Sequence, residues 1–94
     1  MTVGTCEIEI LIYESYSLKE KRHVLKSIIE RIKSRFNVSV AEVDFNDIWN
    51  KSVIGIATVS NSKNICESAI TKVIDFIDND ERVEIINFVK EIYR

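Results

Sequence analysis

In residues 5–13, TCEIEILIY, the apolar Cys6, Ile8, Ile10 and Ile12 alternate with Glu7 and Glu9. A period of two marks a strand with one buried face, so this segment is predicted as β. Over residues 18–36 the period changes: Leu18, Val24, Leu25, Ile28, Ile29, Ile32 and Phe36 fall in one arc at helical spacing, an amphipathic helix. Ser17 is placed to cap it by accepting from the N–H of Glu20, whose side chain is expected to reach back to the N–H of Ser17. NVSVAEVDF and SVIGIATVS are β-branched runs on either side of the polar NDIWNK, and predict an antiparallel hairpin with a long turn. Asn61 and Ser62 then supply caps for a second helix through about Asp78, with Ile65, Ala69, Ile70, Val73 and Ile77 inward. RVEIINFVKEIY closes the chain as a strand.

The order βαββαβ predicts an α+β, ferredoxin-like two-layer sandwich: a four-stranded antiparallel sheet with both helices on one face, in a single domain over residues 1–94. The other face poses a problem. Val38 and Val40 oppose Ser39, Ala41 and Val43; Ile54 and Ile56 oppose Val53, Ala57 and Val59; Ile85 and Val89 oppose Ile86, Phe88 and Ile92. Several strands are therefore apolar on both sides, and the open face is expected to be covered. A second copy of the chain is the simplest cover, since a twofold interface needs only one self-complementary patch.

Composition narrows the class. No apolar run approaches the roughly 20 residues that cross a bilayer, and the start MTVGTCEIEILIY lacks the basic region of a signal peptide, so no membrane is expected and the cytoplasm is the expected compartment. Two cysteines, Cys6 and Cys66, suit buried reduced thiols rather than a disulfide framework. The net charge of −2 conceals an asymmetry: residues 17–36 carry seven basic side chains against Glu20 and Glu30, +5 in one element, leaving −7 for the remainder. A chain of this kind is no general polyanion binder, but it can present one local phosphate-binding face.

Lys19, Arg22, Lys26 and Lys33 lie within about 60° of one another beside the apolar arc, a stripe suited to RNA phosphates and equally what a solvated helix face looks like. Their position is informative, because a cation in a first helical turn opposes the macrodipole at a cost of about 0.3–1 kcal/mol. Lys21 falls inside the apolar arc and is expected to extend past the sheet edge and reach water, joining the stripe. Trp49, the single tryptophan, lies in DFNDIWNKS; such a residue most often closes the core over a hairpin, and otherwise stacks on a base or anchors a protein. Its neighbours Asp44 and Asp47 disfavour a phosphate contact there.

Catalysis finds no support. The lone His23 has no nucleophile or carboxylate arranged with it, two separated cysteines and one histidine do not match metal-ligand spacing, and two glycines build no phosphate cradle. Neither a metal nor a small-molecule cofactor is expected. RNA recognition motifs share the element order but stack bases on aromatics of strands one and three, which here carry two glutamates and no aromatic except Tyr13 at the end.

SLKEKR at the first helix, RFNVSVAEVD running into the second strand, and SN before the second helix together resemble the YlxP-like family, a small bacterial family of unknown function. The resemblance covers nearly the whole chain and implies a ferredoxin-like fold. Members are often encoded beside translation initiation factor 2 and ribosome-binding factor A, which implies a role around the ribosome or its RNA. Carried over by position, the motif residues are Ser17, Leu18, Lys19, Lys21 and Arg22, with Glu42, Asp44 and Trp49. The expected function is a non-enzymatic accessory protein of ribosome biogenesis or translation, holding ribosomal RNA or a ribosomal subunit through Lys19, Lys21, Arg22, Lys26 and Lys33. The alternative is a homodimeric protein-interaction module that uses the open sheet face or the Trp49 loop and binds no RNA.

Overall fold

The computed structural model describes all 94 residues. Its elements are β1 (Thr2–Ile12), α1 (Leu18–Arg35), β2 (Ser39–Asp44), β3 (Lys51–Ser60), α2 (Lys63–Asp78) and β4 (Val83–Tyr93). The strands form one antiparallel sheet in the order β2-β3-β1-β4, the ferredoxin-like arrangement that the periodicities predict. No helix is long and apolar enough to cross a membrane.

Register follows from burial. Cys6, Ile8, Ile10 and Ile12 of β1 meet Ile54 and Ile56 of β3 under Leu25, Ile28 and Ile32 of α1 and Ile70, Val73 and Ile77 of α2, all nearly or wholly buried. Each such aliphatic side chain contributes about 1.5–3 kcal/mol on burial, and a slip of one residue in β1 would turn Cys6, Ile8, Ile10 and Ile12 outward and bring Glu7 and Glu9 into the core. Both cysteines are free and buried, as expected.

Three local expectations are corrected. In α2 the inward residue of the first turn is Cys66, whereas Ile65 is exposed, because Cys66, Ile70, Val73 and Ile77 define the buried arc and Ile65 stands about 100° away from Cys66. In β4 a bulge opposite Glu9 and Ile10 shifts the register between Ile85 and Asn87. Ile85, Phe88 and Ile92 consequently share the helix side and Val89 turns to the open face, so the simple alternation expected for this strand fails at Ile86. At the start of α1, Ser17 Oγ accepts from the N–H of Glu20 at 3.1 Å as predicted, but the Glu20 carboxylate accepts from the N–H of Tyr16 at 2.6 Å rather than from Ser17.

Candidate nucleic-acid interface

The first turn of α1 divides its cations between two environments. Lys21 does not reach water. It is 0% exposed, its ammonium 2.9 Å from a Glu42 carboxylate oxygen, and it donates to the carbonyl oxygens of Phe45 at 2.6 Å and Asn46 at 3.5 Å. Three acceptors match the three protons of an ammonium, which is what permits a lysine at the centre of an apolar arc to point inward. Glu42 occupies a core-facing position of β2 and also accepts from Ser52 Oγ at 2.6 Å. The expectation that Lys21 extends to solvent and clamps RNA is therefore corrected: it is an internal tie between α1 and the β2–β3 loop.

Lys19, Arg22, Lys26 and Lys33 are exposed. The ion pairs of the molecule are Lys21–Glu42 and Arg82–Asp80, so none of these four cations is held by a carboxylate. Arg31 and Arg35 lie on the other flank of α1: the Arg35 guanidinium sits 5.1 Å from the Phe76 ring of α2, and Arg31 faces Asp80. The stripe thus runs along the side of α1 away from α2. Glu30 falls between Lys26 and Lys33 at helical spacing, which leaves Lys19, Arg22 and Lys26 as its continuous part.

Trp49 does not close the core. It is 46% exposed and lies beside Tyr16, which is 77% exposed, with ring centroids 6.3 Å apart and an interplanar angle of 23°. Two loops carry the pair and are bonded together: Ser15 Oγ donates to the Trp49 carbonyl at 2.6 Å and the Ile12 N–H to the Asn50 carbonyl at 2.8 Å. Each loop also holds one non-glycine residue at positive φ, Glu14 at 53° and Phe45 at 61°. For a bulky residue such as phenylalanine that conformation is costly. It is fixed here by Lys21 on the Phe45 carbonyl and by Asp44 Oδ1, which accepts from the Phe45 N–H at 2.7 Å.

The residues singled out by sequence thus separate into groups. Lys19, Arg22, Lys26 and Lys33 form the surface; Ser17 caps the helix that displays it; Lys21, Glu42 and Asp44 fix the neighbouring loop; and Trp49 projects from that loop. Tyr16 was missed. A residue just before an N-cap commonly packs on the helical residue five positions on, and here that residue is Lys21, so Tyr16 had no apolar partner on its own helix.

Fold and surface together define a small ferredoxin-like α+β protein with an exposed aromatic pair at the start of α1 and a stripe of exposed cations that runs from there to the last turn of the helix. Residues 3–90 match the family described as protein of unknown function DUF503, and the chain belongs to that family. It is 43% identical over 82 residues to the uncharacterized protein YlxP of Bacillus subtilis (strain 168), covering 87% of this chain and 89% of that protein. The YlxP-like resemblance of the three sequence motifs is therefore a family relationship.

Proposed function

We propose that this protein is a non-enzymatic, cytoplasmic accessory factor of ribosome biogenesis or translation that docks on structured RNA through Lys19, Arg22, Lys26 and Lys33. The observation that carries this reading is that four exposed cations stand on one flank of α1 without a carboxylate partner, while the chain as a whole is acidic. Contacts of this kind go to phosphates and supply affinity with little reading of sequence. The ribosomal setting rests on the YlxP-like resemblance.

The test is binding of a hairpin RNA, and co-sedimentation with ribosomal subunits, at several salt concentrations. Each phosphate neutralised contributes about 0.9 to the slope of log K against log salt on a duplex. The K19A/R22A/K26A variant is expected to lower that slope by about 2–3 at an unchanged melting temperature, since none of the three side chains is buried. An unchanged slope refutes the assignment.

A second reading is favoured by a separate observation: Val43, Val59, Val89 and Tyr93 are exposed, all on or beside the open sheet face. We propose on this ground that two copies associate through that face, offset so that Glu7 and Glu9 do not meet their own counterparts. Sedimentation equilibrium should give a dimer that V59K or V89K converts to monomer; a monomer at all concentrations refutes it.

A further inference from the structure

The aromatic pair stands outside the hydrophobic core. Tyr16 and Trp49 are neither in the hydrophobic core cluster nor packed against it, yet the loops that present them are held by a buried ammonium, a buried serine and a strained phenylalanine backbone. A loop that merely connects β2 to β3 needs none of this. The bonds fix the position of two flat apolar rings in water, and a rigid surface loses little conformational entropy when a flat partner settles on it.

The surroundings restrict what that partner is. Lys19 and Arg22 stand within two turns of Tyr16, at the near end of the stripe, and Lys26 lies about 10 Å beyond Lys19 along the helix. The two loops around the rings are acidic on balance, with Asp44, Asp47 and, in the loop that carries Tyr16, Glu14 exposed against the single Lys51. An anion is attracted along α1 and repelled at the rings. A ligand that suits both must carry phosphates on one side and a neutral flat group on the other, and its flat group gains from nearby carboxylates if it bears amino hydrogens.

We propose that the Tyr16–Trp49 pair is a stacking site for one unpaired nucleobase, of the amino-bearing kind, in an RNA whose adjoining phosphates lie on Lys19, Arg22 and Lys26. The proposal rests on the RNA-binding reading above and adds to it a specific place for a base. It differs from the recognition that this topology ordinarily supports, because the rings stand at the loop end of the sheet rather than on the faces of β1 and β3.

Trp49 is the only tryptophan, so its emission reports directly on the site. Two hairpin RNAs closed by the same tightly stacked loop, one with an uninterrupted stem (the paired hairpin) and one with a single bulged adenine in the stem, would be labelled identically and titrated against the wild-type protein and against Y16A, W49L and K19A/R22A/K26A. Affinities would be read from the anisotropy of the RNA label, and stacking from Trp49 emission where the tryptophan is present. Stacking on an aromatic side chain is worth about five- to a hundredfold in affinity, so the hairpin with the unpaired adenine should bind tighter by about that factor and quench the tryptophan. Y16A and W49L should reduce its affinity to that of the paired hairpin and leave the paired hairpin unaffected, while the triple alanine variant weakens both equally. An unpaired uridine should gain less than the adenine. Equal affinity for the two hairpins without quenching overturns the stacking site and leaves the phosphate surface standing. No salt-sensitive binding of either RNA overturns both, and returns the rings to the role of a protein anchor. If W49L fails to fold, Y16A decides the question, since Tyr16 is 77% exposed and its truncation removes no core packing.

Discussion

Lys21 is the residue on which this end of the molecule depends. Removing one member of a buried ion pair leaves the other desolvated and alone, at a cost of about 3–5 kcal/mol. K21M is accordingly expected to lower the free energy of unfolding in urea by about that amount, and K21M/E42L to recover only part of the loss, since the carbonyls of Phe45 and Asn46 and the Ser52 hydroxyl still lose their partners. Both ends of the tie were visible in the sequence: Lys21 lies at the middle of the apolar arc of α1, and Glu42 follows Val40 at a core-facing position of β2. Two opposite charges each in an apolar position are a signal of an internal pair, which a reading of one element at a time does not detect.

Titration at other residues gives two more expectations. Burial pushes the Cys6 thiol up to about 11, and both cysteines are inaccessible, so a thiol reagent at pH 7.5 should modify neither until the protein unfolds. Asp80 is held below its ordinary 3.8 mainly by the hydrogen bonds from Arg82, whose guanidinium also meets Ser27 of α1. A depressed carboxylate stabilises the fold above its ordinary range and loses that contribution as the pH falls through its lowered value. D80N should therefore melt below the wild type at pH 7, and the difference should shrink in thermal scans taken progressively below pH 3.8.

At the scale of elements, β2 and β3 meet through an unusual fit. A methyl group at Gly55 would stand 2.6 Å from Val43 Cγ1, because the irregularity after Glu42 folds Val43 across the open face of β3. G55A should cost about 1–3 kcal/mol by overpacking, and V43A in the same chain should restore most of it, as read from melting temperatures. Neither this irregularity nor the bulge in β4 was legible. The chain has no proline and only two glycines to mark such departures, and a strict alternation is what β-branched runs suggest by default. The helices were read more accurately, since their arcs repeat over four or five turns and a single misplaced residue such as Ile65 leaves the remainder in register.

At the scale of the whole molecule, element order and strong periodicity carried the fold, and the charge imbalance of one helix carried the exposed stripe. The aromatic pair was not legible, because Tyr16 and Trp49 lie 33 positions apart in segments without periodicity and meet only after the sheet has formed. The same registers have a practical consequence. Val3 pairs with Tyr93, and Thr2 with Ser60, at the end of the sheet opposite to Ile12, Asn50 and the two rings. Whatever is joined to either end of these residues emerges side by side from the far end of a body about 42 Å long. A surface tether or fluorescent carrier attached at residue 1 or 94 would hold the protein with its cations and rings outward, and a short bridge between those two residues would allow the chain to be reopened elsewhere without disturbing them.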